Sequence, residues 1–232
     1  MKRIIFLLIC SITILSVAVF ASTDSEKTVY ITFDDGPTHN TPVILDTLKK
    51  YNAKATFFVL NDRITENPDL LRRIIAEGHS IGLHGSSHDV NVIYSTPSKP
   101  LEEMNKANEN LYNTVGFKTR LIRTPYGSYP YMNLEQYKIL KAANYNLWDW
   151  TVDPRDGVGT PTIDTMLNRI TNDLKGNENP IVLLHDRKST ANNLDSILNY
   201  FSSRNYTFDV LTEKTDPVNF MELYGPARNK SG

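Results

Sequence analysis

Cysteine is nearly missing from this chain: Cys10 is the only one in 232 residues. A disulfide within the chain and a cysteine-ligated zinc site are therefore excluded. An excess of one charge is also missing, since 25 lysines and arginines stand against 26 aspartates and glutamates. With no surplus of cations to displace counterions from phosphates, a nucleic-acid partner is not expected. The sequence holds no repeat, no low-complexity tract and no long linker. No glycine-rich nucleotide loop follows its first apolar run, which argues for a barrel over an open dinucleotide-binding sheet. Histidine is scarce, five in all, so two of them close together carry information.

What is present is a globular composition, 40% hydrophobic and 22% charged, at a length ample for a buried core. The N-terminus stands apart. Lys2 and Arg3 precede an uncharged, largely apolar run from Ile4 to Ala21. Residues 1–21 read as an export signal cleaved after Ala21, with an uncleaved membrane anchor as the alternative. Ile9 before Cys10 does not suit a lipoprotein signal. Residues 22–28 form a short leader, and residues 29–232 are expected to make a single domain, secreted or held at the membrane by the anchor.

Along that domain short apolar runs alternate with amphipathic segments. Strands are expected at Val29–Phe33, Ala55–Leu60, Ser80–Leu83, near Leu121, and at 146–150, 181–184 and 206–210. Helices are expected at Thr41–Tyr51, from Pro68 to Glu77 behind an Asn67 cap, and at 101–115, 134–143, 163–174 and 191–201. The alternation implies parallel βα units, hence an α/β fold: a distorted (β/α) barrel of about seven parallel strands. In such barrels chemistry gathers where strands end and loops begin.

Four unusual clusters fall at those places. Asp34-Asp35-Gly36-Pro37 leaves the first strand, and two adjacent carboxylates pointing in different directions can take different roles; the same residues also make an ordinary acidic turn. His84-Gly85-Ser86-Ser87-His88 follows the third strand. Gly85 and its two serines, with Gly82 just before them, argue against a helix and for a loop that turns both imidazoles inward. Arg123-Thr124-Pro125-Tyr126-Gly127 is stiffened by its proline. His185 ends the apolar run Ile181–Leu184, where partial desolvation acts on it. Each cluster alone also fits a structural role. Together they place carboxylates, three histidines and an arginine at one rim, which reads as a metal site with an acid and a base beside it.

Thr32-Phe33-Asp34-Asp35-Gly36, His84-x-x-x-His88, Arg123-x-Pro125-Tyr126-Gly127, Asp153-x-x-Asp156 and Leu183-Leu184-His185 resemble, in order, the motifs of polysaccharide deacetylases of the NodB-homology type (carbohydrate esterase family 4). The resemblance runs from about Val29 to Val210. It implies hydrolysis of acetyl groups from an N-acetylglucosamine-containing polysaccharide, peptidoglycan or a chitin-like polymer, by a secreted or cell-wall-associated enzyme, and it points to no particular protein partner. It implies one divalent metal, zinc foremost and cobalt or nickel as alternatives, on Asp35, His84 and His88. It further implies Asp34 as base held by Arg123, His185 as acid held by Asp156, and Tyr126 as an oxyanion donor through its backbone. Leu183 and Trp150 would line the acetyl pocket. Asp34, Arg123, Asp156 and His185 are thus the expected catalytic set.

Two positions depart from the family's pattern. Gly85 stands where a serine or threonine hydroxyl usually steadies the metal loop. Gly157 follows Asp156 where a tryptophan usually closes the acetyl pocket, so a roomier pocket, filled by Gly157→Trp, is expected. His39 and His79 are expected to be structural, His79 by bonding carbonyls at a helix end. An O-acetyl (xylan) esterase, an inactive wall-binding homologue and a non-haem iron oxygenase are the competing readings. The last fits poorly with alternating strands and helices.

Overall fold

The computed structural model describes residues 27–86 and 88–227; the signal segment and most of the leader lie outside them. Seven strands are present among these residues: β1 Thr28–Gly36, β2 Ala55–Val59, β3 Ser80–Leu83, β4 Leu121–Ile122, β5 Asn146–Leu147, β6 Ile181–His185 and β7 Thr207–Phe208. Nine helices accompany them: α1 Thr41–Lys50, α2 Asn61–Glu66, α3 Pro68–Ala76, α4 Val90–Ile93, α5 Lys99–Val115, α6 Leu134–Ala142, α7 Ile163–Leu174, α8 Lys188–Ser202 and α9 Phe220–Leu223. None of the described helices is long and apolar enough to cross a membrane.

All strand pairings are parallel, in the order β5-β4-β3-β2-β1-β6, with β7 on the start of β1. Burial explains the arrangement. Every residue of β2 is buried, as expected for a strand covered on both faces by crossover helices. Phe33 of β1 stacks on Phe57 of β2 with ring centroids 5.1 Å apart. Each such fully buried side chain contributes roughly 1.5–3 kcal/mol. The segment after β5 links the two edges of the sheet. Trp148 N donates to Ile122 O on β4, and Val152 N then donates to Ile181 O on β6. One stretch of chain thus bridges β4 to β6 and curls the sheet into the distorted barrel.

Two local features aim the site. β1 runs through Asp34 and Asp35 to Gly36 instead of ending at Phe33, and its register with β2 slips between Asp34 and Gly36. Asp35 is the extra residue of this bulge and sits at φ 71°. A bulge re-aims side chains, so the two adjacent carboxylates diverge. The second feature is the register itself. Asp34 pairs with His185 across β1 and β6, and Leu83 pairs with Ile122 across β3 and β4. The next residues, His84 and Arg123, therefore also lie side by side at the same end of the sheet.

Candidate metal-centred active site

The cleft at the carboxyl ends of the strands has a volume of about 430 Å³ and is lined by Asp34, Asp35, His84, His88, Tyr126, Trp150, Leu183 and His185. On one side, three potential ligand atoms converge. His84 Nε2 and His88 Nε2 lie 3.6 and 3.4 Å from Asp35 Oδ1, and one ligand atom from each of the three residues falls within 4.8 Å of the others. Atoms about 2.1 Å from one tetrahedral metal ion lie about 3.4 Å from each other. Asp35 Oδ1 is buried and has no hydrogen-bond partner among the described residues. A buried carboxylate oxygen so placed fits a metal ligand, because an unpaired buried charge is costly.

The ring tautomers agree. His84 Nδ1 lies 2.8 Å from the carbonyl of Arg123, which can only accept, so Nδ1 carries the proton and Nε2 presents a lone pair. His88 Nδ1 lies 3.0 Å from the Tyr126 hydroxyl, and that hydroxyl donates to the His88 carbonyl. Nε2 of His88 is left as the acceptor too. Such outer bonds are the usual way of orienting imidazole ligands. Burial first, and the neighbouring His84 second, push the His88 pKa down, which keeps the ring neutral.

Gly85 has its own support. Its φ of +84° would strain any side chain, and a Cβ there would meet Glu103 Oε2 at 3.3 Å. Glu103, buried on α5, accepts from Ser86 N, and the Gly85 carbonyl accepts from Asn61 N. Backbone bonds thus steady the loop where a hydroxyl was expected to.

Behind Asp34, the fully buried Arg123 donates from Nη1 to Asp34 Oδ1 at 3.0 Å and to Thr32 Oγ1 at 2.7 Å. Its other terminal nitrogen donates to the Asp149 carbonyl, and its guanidinium lies 4.3 Å from the centre of the Phe58 ring. The cation is held rigidly against the carboxylate. Tyr126 sits at φ 65°, a left-handed conformation that is costly for a bulky side chain and tends to occur at functional sites.

On the other side stands His185. Its Nδ1 lies 2.8 Å from Asp156 Oδ1, and Asp156 Oδ2 accepts from both the His185 backbone N–H and the Thr190 hydroxyl. Burial pulls the His185 pKa down, but the hydrogen bond and charge of Asp156, helped by Asp34 and Asp35, outweigh it and raise the pKa to about 9.

Gly157 corrects one expectation. A Cβ there would lie 2.8 Å from Cε1 of His185 and 3.1 Å from Nδ1. The space beside Gly157 is filled by the acid-side imidazole, so no gap waits for a tryptophan. Trp148 is buried in the core and Trp150 faces the cleft against Phe220. His79 is structural, but its Nδ1 accepts from Ala55 N instead of bonding carbonyls, and burial lowers its pKa to about 4. His39 is exposed and does not line the cleft.

Every proposed site residue from the sequence falls in or directly behind this cleft. Sequence reasoning missed Tyr131, Arg155, Val158 and Arg187, which also line it, and Glu103 and Asn61, which brace its loop. Arg155 and Arg187 lie one residue from Asp156 and Asp186, so adjacency to the strand-end clusters was an available signal. No local pattern announced Glu103.

A parallel βα barrel with a carboxylate and two imidazoles at its strand ends, and a carboxylate-backed histidine opposite, is a hydrolase architecture. The sequence profile of the polysaccharide deacetylase family matches residues 21–148. YheN of Bacillus subtilis is 39% identical over 83% of this chain and 70% of its own length. A peptidoglycan-N-acetylglucosamine deacetylase of Bacillus cereus is 34% identical over 84% of this chain and 73% of its own. The crystal structure of the polysaccharide deacetylase Bc1974 from Bacillus cereus superposes with a TM-score of 0.76 at 32% identity, covering 84% of this chain and 97% of that one. The chain belongs to the polysaccharide deacetylase family, hydrolases acting on carbon–nitrogen bonds other than peptide bonds.

Proposed function

We propose that this protein removes acetyl groups from N-acetylglucosamine units of peptidoglycan, releasing acetate outside the cytoplasmic membrane. The observation that carries the reading is the pairing of Asp34 with His185 across β1 and β6, with the Asp35–His84–His88 cluster beside them in one cleft. The relatives named above supply the substrate class, and residues 1–21, read as an export signal, supply the location.

Asp35, His84 and His88 would hold the metal, and zinc is the proposed ion because imidazole and carboxylate both suit it. When bound, such an ion polarises a carbonyl and lowers the pKa of water to about 7. Asp34 takes the proton of the attacking water, and Arg123, donating to its Oδ1, fixes where that carboxylate points. The Tyr126 N–H donates to the oxygen that gains charge as the carbonyl is attacked. His185 then delivers its Nε2 proton to the departing nitrogen. Asp156 holds that proton on the ring at neutral pH, and amine departure requires it, since an amide anion leaves too poorly. Leu183 and Trp150 receive the acetyl methyl.

An ester would leave without this proton, so the buried Asp156 behind His185 favours amide over ester substrates. Acetate release from N-acetylated glycan strands, with and without chelator and after zinc, cobalt or nickel is restored, tests the proposal. No metal-dependent acetate from any N-acetylated glycan would refute it.

A further inference from the structure

The cleft carries two cations that none of the steps above uses. Arg155 and Arg187 line it beside His185. Arg187 is half-buried and donates from Nη1 to the Gly157 carbonyl at 2.9 Å. Among the described residues it forms no ion pair. Its neighbour Asp186 is turned away, its carboxylate occupied by Thr38 and Thr41, and the first turn of α8 contains no acidic residue. Arg155 is exposed and has only Asp153 near it, at 4.0 Å. It also sits at φ 56°, one of the few left-handed positions here that is not asparagine or glycine. Arg187 further lines a neighbouring groove with Thr160, Lys188, Asn192 and Asn193. It therefore stands at the junction between the catalytic cleft and a second, cation-bearing channel. A neutral sugar polymer gives no reason for two guanidinium groups in that place, one without an ion pair among the described residues and the other held only by a long contact to Asp153.

We propose that Arg155 and Arg187 form an anion subsite that takes a carboxylate carried by the sugar next to the one being deacetylated, making the enzyme selective for acidic glycans over neutral ones. This rests on the deacetylase reading above. A guanidinium fork matches a carboxylate through two parallel hydrogen bonds. The Nη1 bond to Gly157 fixes one end of the Arg187 fork and leaves its other N–H groups for the ligand. A singly charged carboxylate suits a cleft whose floor already holds Asp34, Asp35 and Asp153 better than a more highly charged group does. In peptidoglycan the carboxylate has two sources: the lactyl ether of the alternate sugar, free once its peptide is removed, and the peptide itself.

The test uses three substrates: N-acetylglucosamine oligomers, glycan strands stripped of peptide, and strands with peptide intact. The native enzyme is expected to favour one acidic substrate over the neutral oligomer by about tenfold or more in kcat/KM. The double variant Arg155→Gln with Arg187→Gln should bring that ratio close to one. A ratio cancels any loss common to all substrates, such as a disturbed Gly157 carbonyl. Preference for stripped strands assigns the lactyl carboxylate, and preference for intact strands assigns the peptide. A ratio that changes less than twofold in the variant overturns the subsite. Calorimetric binding of the same three ligands to Asp34→Asn, with and without the two arginines, decides the matter independently of turnover. If no substrate yields acetate, the deacetylase reading fails. The subsite stands only if acidic strands still bind about tenfold more tightly when the arginines are present.

Discussion

The two sides of the cleft use the same side chain in opposite states. On the metal side, the Nδ1 atoms of His84 and His88 face a carbonyl and a hydroxyl, which turns Nε2 of each toward Asp35, and burial holds the His88 ring neutral. On the acid side, Nδ1 of His185 faces the buried carboxylate of Asp156, and the ring holds its proton to about pH 9. Burial penalises the charged ring on both sides. The atom behind Nδ1 decides the outcome: a neutral acceptor orients the ring, and an anion also charges it. A single strand register delivers both arrangements to one end of one sheet.

The sharpest way to break this contrast is to remove a ligand. His84→Ala or His88→Ala should abolish bound metal and reduce acetate release by about a thousandfold or more, because a metal contributes several kcal/mol to such a reaction. Metal content by atomic absorption, measured beside turnover, checks it, and Asp34→Asn should lose turnover while keeping its metal. On the acid side, His185→Ala should keep metal and lose about 10²–10⁴-fold on the amide, with a markedly smaller loss on an acetyl ester. Equal losses on the two substrates would mean that His185 does not serve the leaving nitrogen.

Gly157 sharpens the comparison further. Since a Cβ there would meet the His185 ring at 2.8 Å, Gly157→Ala should lower kcat about tenfold or more by moving the acid, without changing metal content. Gly157→Trp should be worse, not more acetyl-selective. Steady-state kinetics on acetylated and propionylated oligomers separate the two ideas.

The pH dependence has a defined sign. His185 acts in its protonated form, so activity should fall as pH rises through about 9. Asp156→Asn removes the anion that raises the pKa and leaves the burial that lowers it. The alkaline limb should then move down to the ordinary histidine range near 6.5 or below. The smallest effect is expected at Gly85. Gly85→Ala places a Cβ at a φ of +84° against Glu103, costing on the order of 1 kcal/mol in stability and weakening metal affinity, as thermal melts with and without metal would show.

Much of this was legible in the sequence because apolar runs and turn residues punctuate a parallel βα chain clearly. Ser80–Leu83 and Ile163–Leu174 lie where their patterns place them. The site was legible because its residues sit at strand ends, where local clusters stand out. What stayed hidden depends on three dimensions. The bulge at Asp35 is a property of pairing with β2, which β1 alone does not reveal. The short α2, packed against α5, has too little length to show a period. The role of Gly157 depends on His185, 28 residues away, so its missing side chain suggested an empty space that the fold fills with a ring.

The claim that Asp156 charges His185 while the buried His88, facing a neutral hydroxyl, stays uncharged is tested most directly by imidazole nitrogen NMR across pH 5 to 10. The measurement is made on the metal-free protein and on Asp156→Asn. His185 should titrate near pH 9 in the native chain and fall to 6.5 or below in the variant, well separated from a downward-shifted His88. A native His185 that titrates at or below 6.5, or one unmoved by Asp156→Asn, would contradict the account.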